Sequence, residues 1–532
     1  MQNIGQRPFI TNMPPITRVI VVIAVLGIAL LASLQPKAIY LAIPLGAAGL
    51  ALLLARPQLG FLAMIAGSLV VPFSIGTGSE SSLHPGMLIL GGLLGLWGLE
   101  VLLKRHQPLR RIDNPTNVPL LVFMITVLLA FAAGQLIWFP QIRSAPIRSQ
   151  LGGMGIFLLS AGAYWLAANR IFKVSWLRQM MWVFMLIGIA YVLAQFVPRL
   201  TDITDRLFER TASGATGSIF WIWLAAFITS QGLMNKKLGL IPRLLLLSML
   251  APMMYYCAVL NREWTSGWLP TALAIALVIW QAFPRWRVPM FVGGAALMFF
   301  RLWQSLEKYV LTDSNSYSLD TRVAAWTTLW QMIKINPIFG FGPSNYYAYT
   351  PLFPILGYRV NFNSHNNYID LLAQVGFLGL FAFGWFAWRS VRYVHAVQGR
   401  MPEGFERSYA VAAFAGWTAT LVAGMLGDWF LPFVYNLGFV GTRSSLLAWL
   451  FVGSIVALDR LVLARKPASA PLLLKAPSNS QSAQSAQLPH SAQSPHSTQL
   501  PHSTQLPHLS KSRLTGNNES TSTYPSPTLP TR

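Results

Sequence analysis

The sequence predicts an all-α fold, a polytopic membrane bundle of about 12–14 transmembrane helices with one large outer loop that contains short helices. The first observation is composition: 54% of the 532 residues are hydrophobic and only 10% are charged. A soluble protein of this length carries about 25% charged residues. The second observation is a series of apolar stretches, each close to the roughly 20 residues that a helix needs to cross a bilayer.

The apolar stretches follow one another along most of the chain. They centre near Ala24, Gly46, Ile65, Leu93, Val127, Leu158, Ile187, Leu224, Leu247, Leu273, Gly294, Phe377, Ala415 and Trp449. The range of twelve to fourteen spans allows for the stretches near Ile65, Leu158 and Gly294.

The distribution of charge predicts the orientation of the bundle. A net charge of +23 would suggest nucleic acid as the partner of a soluble protein. Here lysine and arginine cluster instead in alternate loops, for example at 104–111, 170–178, 236–243 and 389–407. By the positive-inside rule these loops are cytoplasmic and both termini lie on that side. We therefore expect the protein to associate with membrane lipid and not with nucleic acid.

Four segments follow from these patterns. They are an N-terminal transmembrane bundle (1–303), the large outer loop (304–365), the C-terminal transmembrane helices (366–466) and a tail rich in Ser, Gln, Pro and His (467–532). A Pro-His pair recurs every six residues in the tail, which is a low-complexity pattern that cannot form a core. We expect the tail to be disordered and assign it no catalytic role.

The outer loop has two features that predict structure. Apolar residues recur at helical spacing between Val323 and Ile333, which predicts a helix lying on the membrane face or against the bundle. Asn336-Pro337 ends that helix, and the two glycines of 339–343 predict a tight turn that lets the backbone approach a neighbour or a ligand.

His365 is the first candidate for chemistry, because it lies where the chain leaves the outer loop and enters the next span. In the first turn of a helix an imidazole is held neutral by the positive end of the helix dipole. A neutral imidazole is what a general base requires. The alternative is an interfacial histidine that only caps the span.

Three arginines form the second candidate group. Arg210, Arg262 and Arg322 all lie on the outer side, where the positive-inside rule disfavours arginine. Guanidinium groups that converge there would bind a diphosphate bidentately. The alternative for each arginine is an ion pair with a nearby carboxylate, for which the candidates are Asp205, Glu263 and Asp320.

Several metal and nucleotide motifs are missing from the sequence. The outer side has no Asp-x-Asp pair, and the chain has neither a His-Glu-x-x-His motif nor a P-loop. The one cysteine, Cys257, lies within an apolar stretch. Metal-dependent sugar transfer and ATP hydrolysis are therefore disfavoured, and we expect neither a metal nor a cofactor.

Four motifs in a fixed order then resemble a known family. They are Arg322-Val-Ala-Ala-Trp326, Asn336-Pro-Ile-Phe-Gly-Phe-Gly342, His365-Asn-Asn-Tyr-Ile-Asp-Leu371 and Gly376-Phe-Leu-Gly379. In these motifs the chain resembles the O-antigen ligase and O-antigen polymerase superfamily of bacterial envelope polysaccharide enzymes. Arg210 and Arg262 resemble two further arginines of that family, although the residues beside them depart from its pattern.

The resemblance implies metal-independent, inverting glycan transfer on the periplasmic face of the bacterial cytoplasmic membrane. The donor would be a glycan linked to undecaprenyl diphosphate, and the acceptor a hydroxyl of lipid A-core or of another glycan. It implies that His365 is the catalytic base and that Arg210, Arg262 and Arg322 bind the diphosphate.

Three readings remain open beside the favoured O-antigen ligase. The first is an O-antigen or exopolysaccharide polymerase, and the second is an oligosaccharyltransferase that modifies protein. A transporter or flippase is the alternative from another class, for which ionisable residues near the bilayer midplane and internal repeats would be expected.

Overall fold

The computed structural model describes residues 56–71, 75–76, 82–103, 114–208, 216–261, 264–296, 299 and 317–465. The predicted spans near Ala24 and Gly46 lie outside the described residues. The same is true of the tail 467–532 and of the first part of the outer loop, residues 304–316.

The first half of the described chain is a succession of helices. These are α1 (Pro57–Leu69), α2 (Pro85–Leu103), α3 (Asn117–Ala133), α4 (Ile147–Arg170), α5 (Val174–Ala194), α6 (Pro198–Phe208), α7 (Ser218–Met234), α8 (Leu240–Ser248), α9 (Leu250–Tyr255) and α10 (Thr265–Ala282). A π-helical turn, Tyr256–Leu260, extends α9, and a 3-10 turn, Pro284–Trp286, follows α10. Two short antiparallel strands, β1 (Ile75–Gly76) and β2 (Ser82–Leu83), connect α1 to α2.

The second half carries the outer loop and the last spans. Its helices are α11 (Tyr317–Ile333), α12 (Tyr346–Tyr349), α13 (Asn367–Arg400), α14 (Phe405–Ala423) and α15 (Thr442–Leu463), with a 3-10 turn, Thr350–Leu352, after α12. The predicted loop helix is therefore present as α11. Its apolar side is buried at Leu329 and Ile333.

Within the described residues, seven helical segments are long and apolar enough to cross a bilayer. All predicted centres from Ile65 to Trp449 fall in helical segments. Large apolar side chains also lie exposed on outward faces, among them Leu103 at 75% and Phe381 at 73%. Such faces suit lipid rather than water. The predicted all-α, polytopic membrane bundle is confirmed.

The centre of the bundle is α15, whose residues are buried on nearly all sides. Trp449 stacks on Phe386 of α13 with ring centroids 5.5 Å apart and meets Trp417 of α14 edge-on at 5.4 Å. The indole N–H of Trp449 donates to the Phe430 carbonyl at 3.0 Å. These contacts fix α13, α14 and the loop between α14 and α15 around one helix.

Basic residues meet at the end of the bundle where α4, α13 and α15 terminate. Arg400 pairs with Asp459 at 2.6 Å, and Arg170 pairs with Glu100 at 2.7 Å. The 34 residues of α13 separate Arg400 from His365, a helical length of about 50 Å. The basic loop ends and the outer loop thus lie at opposite ends of α13.

Helix α13 is broken at Gly376, where φ is 65° and ψ is −172°. In a continuous helix Phe377 N–H would donate to the Ala373 carbonyl, and Leu378 N–H to the Gln374 carbonyl. The break separates both pairs. Four backbone groups of a buried helix must therefore find other partners, because an unsatisfied group within a bilayer costs several kcal/mol.

The tight turn of the outer loop supplies all four partners. The bonds run from Phe341 N–H to Ala373 O at 2.9 Å, from Gly342 N–H to Gln374 O at 2.9 Å, from Phe377 N–H to Pro337 O at 2.7 Å and from Leu378 N–H to Ile338 O at 3.2 Å. The side chain of Gln374 also accepts from Ser344 N–H at 2.8 Å. The predicted close approach of this turn to a neighbour is thus an approach to the broken helix.

Glycine is required on both sides of this contact. Gly340 and Gly376 each have a φ of 65°. Residues other than glycine adopt this backbone angle only at a cost in free energy. A Cβ on Gly340 would lie 2.7 Å from the Ala373 carbonyl oxygen, and a Cβ on Gly376 would overlap the Ile338 carbonyl. The backbones therefore meet only because neither residue has a side chain.

Replacing Gly376 by alanine should destabilise the protein by about 1–3 kcal/mol from the strained φ alone, with the clash adding to it. The measurement is the thermal unfolding midpoint in detergent or nanodiscs. Gly384→Ala is the matched control, because it lies in the same helix with open space around its Cβ position, and we expect it to keep the midpoint or raise it slightly. Equal midpoints for the two variants would contradict the docking of the turn.

Candidate active site

A cleft of about 360 Å³ opens beside His365 on the outer-loop side of the bundle. Three stretches of chain form its walls: helix α11, the segment from Tyr347 to His365, and the loop between α14 and α15. The lining residues are Thr321, Arg322, Ala325, Tyr347, Ile355, Asn361, Phe362, Asn363, His365, Tyr435 and Asn436.

Helix α11 fixes the segment that carries His365. The indole N–H of Trp326 donates to the Ser364 carbonyl at 2.8 Å, and Arg322 donates to the Leu426 carbonyl at 3.4 Å. Leu329 and Ile333, on the buried face of α11, pack in a small aromatic core that includes Phe341. This small core also contains Leu372 and Ala373, and it holds α11 in a fixed position against α13.

His365 precedes the helix instead of lying in its first turn. Helix α13 begins at Asn367, and its N-cap is Asn366, whose side chain accepts from the backbone N–H groups of Tyr368 and Ile369. His365 has a φ of 49° and stays open to the cleft. The expectation that it occupies the first helical turn is therefore wrong, because the following asparagine is the better cap.

The two asparagines after His365 clamp the loop between α14 and α15. Asn366 donates to the Met425 carbonyl at 3.2 Å. Asn367 donates to the Leu431 carbonyl at 2.8 Å and accepts from Phe430 N–H at 3.1 Å. These bonds bring the wall that carries Tyr435 and Asn436 against His365.

Asp428 and Asn436 belong to the candidate site, and the sequence alone did not indicate them. Asp428 is 2% exposed and accepts from Phe433 N–H at 2.9 Å. The Asn436 amide nitrogen lies 2.7 Å from the Asp428 carboxylate and 3.5 Å from His365 Nδ1. Because an amide N–H₂ only donates, this arrangement leaves the lone pair on His365 Nδ1.

Opposing influences set the charge of His365. The cleft walls displace water and lower its pKa, and Arg322 lowers the pKa further, whereas Asp428 raises it. The net direction is downward, so the resting ring is neutral near pH 7. The predicted neutrality of His365 thus has desolvation and Arg322 as its causes, while Asp428 stabilises the ring once it gains a proton.

A second buried network supports the same turn of chain. Tyr346 donates to Asp370 at 2.5 Å, and the Ser364 hydroxyl donates to the same carboxylate oxygen at 2.7 Å. Burial, followed by the nearby Asp370, raises the pKa of Tyr346 well above its ordinary value, so it remains a phenol. The network ties α12 and the residue before His365 to the start of α13.

Of the four predicted site residues, the structure brings two together. Arg322 and His365 line the same cleft. Arg210 and Arg262 lie outside the described residues, and the diphosphate-binding role of all three arginines stays a prediction. Asp428 and Asn436 had no local signal in the sequence, because their pairing with His365 depends on the fold.

Comparison with known families gives a match over one part of the chain. Residues 244–384 match the family model described as O-antigen ligase. The matched segment contains Arg322, the glycine turn, His365 and the helix break at Gly376. It confirms the resemblance to the O-antigen ligase superfamily and supports glycan transfer of the ligase or polymerase type in general. No curated protein matches the chain.

The charge balance at His365 can be measured with diethyl pyrocarbonate, which reacts with neutral imidazole. We expect half-maximal labelling of His365 below pH about 6.5, the ordinary histidine pKa. Asp428→Asn should move this midpoint lower, because it removes the carboxylate that favours the imidazolium. Arg322→Gln should move it higher, because it removes a cation that disfavours the imidazolium.

Mass spectrometry of the peptide that contains His365 gives the midpoint, and labelling of His395 on α13 serves as the internal reference. A midpoint above 6.5, or the same midpoint in all three proteins, would refute the assigned influences.

Proposed function

We propose that the protein is an O-antigen ligase-like membrane glycosyltransferase that needs no metal. It transfers a glycan from undecaprenyl diphosphate to an acceptor hydroxyl on the outer face of the cytoplasmic membrane. The observation that carries this proposal is the cleft in which neutral His365 faces Arg322, within the segment that matches the O-antigen ligase family.

The reaction is a single displacement at the anomeric carbon. The acceptor hydroxyl takes the place of Asn436 at His365 Nδ1, whose contact with that amide is long at 3.5 Å, and gives its proton to this nitrogen. The acceptor oxygen forms the new glycosidic bond, and the bond from the anomeric carbon to the diphosphate oxygen breaks. One displacement inverts the anomeric configuration. The leaving electron pair stays on the diphosphate, whose charge Arg322, Arg210 and Arg262 would neutralise by bidentate hydrogen bonds.

Asp428 gives the base its driving force in this proposal. As His365 gains a proton it becomes a cation beside a buried carboxylate, which is held by Asn436 and by Phe433 N–H. A fixed charge aimed at a cation that forms only during the reaction stabilises the transition state more than the resting state. Arg322 keeps the resting base neutral.

The opposite ends of α13 support the proposed orientation. Basic loop ends, which the positive-inside rule assigns to the cytoplasm, lie about 50 Å along the helix from the cleft. The cleft would then face the periplasm, where a lipid-linked glycan and a lipid A-core acceptor meet. Both termini would be cytoplasmic.

The broken helix invites a comparison with transporters, in which half-helix ends coordinate ions or substrate. Here the four groups at the break bond to the turn 337–342. The break therefore fastens the outer loop to the bundle, and this use of it favours an enzyme over a transporter.

His365→Ala should reduce transfer by about 100-fold to 10,000-fold, the usual contribution of a general base, with normal membrane insertion. The test uses a strain lacking the gene, complemented with each variant, and electrophoresis of its lipopolysaccharide and of free lipid-linked glycan. His395→Ala is the matched control and should restore the normal pattern. Normal lipopolysaccharide with well-inserted His365→Ala would overturn the proposed base.

The same gels separate the ligase from the polymerase. Long lipid-linked polymer together with bare core would indicate a ligase, whereas accumulated single repeats would indicate a polymerase. A normal envelope in the deletion strain would favour transport.

A further inference from the structure

The cleft beside His365 has the features of a sugar-binding subsite. Two of its walls present aromatic side chains, and its lining includes three asparagine amides and a threonine. A volume of about 360 Å³ lies at the lower end of the range for small-ligand sites, about 300–1,000 Å³. We propose that this cleft binds a pyranose unit of the glycan acceptor through Asn363, Tyr347 and Tyr435. This inference rests on the proposed function.

The aromatic wall is built from two separate parts of the chain. Tyr347 of α12 and Tyr435 of the loop between α14 and α15 stack with centroids 4.5 Å apart and an angle of 11°. Phe433 packs against both rings, at 5.9 Å from each. Both tyrosines are half-buried, and the outer face of such a rigid stacked pair suits the apolar C–H face of a pyranose ring, while the phenol groups keep polar tips.

Asn363 supplies an independent sign of a ligand. Its residue is only 9% exposed, and its amide nitrogen has no hydrogen-bond acceptor among the described residues. A buried donor left without a partner costs about 1–3 kcal/mol. Because Asn363 lines the cleft, a rotation of its side chain would offer this donor to a sugar hydroxyl placed there.

Asn361 shows the contrast within the same strand of chain. Its amide nitrogen donates to the Tyr347 carbonyl at 2.7 Å, so it holds the aromatic wall in place. The two asparagines therefore divide the work: Asn361 fixes the wall, and Asn363 keeps a donor for the ligand.

The position of His365 assigns the part of the cleft beside Asn363 and the two tyrosines to the acceptor, whereas Arg322, on the opposite wall, is left for the donor diphosphate. A base must lie within hydrogen-bond reach of the proton that it removes, and that proton belongs to the acceptor hydroxyl. His365 and Asn363 line one cleft, so a ring held by Asn363 and the tyrosines would direct a hydroxyl towards His365.

The first experiment measures binding without turnover. Full-length protein in nanodiscs is mixed with methyl glucoside, methyl galactoside or methyl mannoside, and saturation-transfer difference NMR reports the sugar protons that contact protein. Sorbitol is the acyclic control. We expect transfer to at least one pyranoside, reduced at least fivefold in Asn363→Leu and in Tyr435→Ala.

Tyr358→Ala is the matched control variant, because Tyr358 is 71% exposed in the same loop and is not a lining residue of the cleft. It should bind as the wild type does. Thermal unfolding of every variant shows that it is folded. If no pyranoside gives a larger saturation-transfer signal than sorbitol, or if Asn363→Leu and Tyr435→Ala bind as the wild type does, the proposed sugar-binding subsite is wrong.

The second experiment shows which of the two substrates occupies the sugar-binding subsite. With lipid-linked glycan and lipid A-core extracted from the same strain, Asn363→Leu should raise the acceptor KM about tenfold, which corresponds to about 1.4 kcal/mol. The donor KM should stay unchanged. A raised donor KM with an unchanged acceptor KM would give the cleft to the donor sugar and overturn the inference.

The two claims can fail separately. His365→Ala should still bind pyranosides above the level of sorbitol and lose transfer. If this variant keeps transfer, the proposed base is wrong. The sugar-binding subsite is then judged from the NMR result alone.

Discussion

The reciprocal pairing of the broken helix α13 with the turn 337–342 is the contact on which the rest of the site depends. Neither part is stable alone: the break leaves two carbonyls and two N–H groups of a buried helix without helical partners, and the turn leaves its own backbone polar groups unpaired. Together they form four hydrogen bonds. Because an unpaired backbone group in lipid costs several kcal/mol, this pairing fixes the outer loop to the bundle.

The candidate site follows from that fixed contact. The turn holds the end of α11 on one side of α13, and the asparagines after His365 hold the loop between α14 and α15 on the other. The cleft is the space left between these two attachments. His365 lies at the edge of the cleft. Its pKa is lowered by the loss of water and by Arg322 of α11, and it is raised by Asp428 of the loop between α14 and α15.

Sequence patterns with local causes were predictable. Apolar stretches gave the helices, spacing gave α11, and the paired glycines with Asn336-Pro337 gave the turn. The apolar pattern predicts one continuous span through Gly376, because the break there is stabilised only by residues far away in sequence. Asp428 and Asn436 were missed for the same reason. The sequence predicts His365 in the first turn of the helix, whereas Asn366, one residue later, caps α13.

Hydrogen exchange in nanodiscs tests the central pairing most directly. The amides of Phe341 and Gly342, which belong to a loop, should exchange as slowly as amides within α13, because they donate to Ala373 and Gln374. The amides of Phe377 and Leu378 should be equally slow. Exchange of 341–342 at the rate of an open loop, with 377–378 protected, would show a continuous helix and contradict the account.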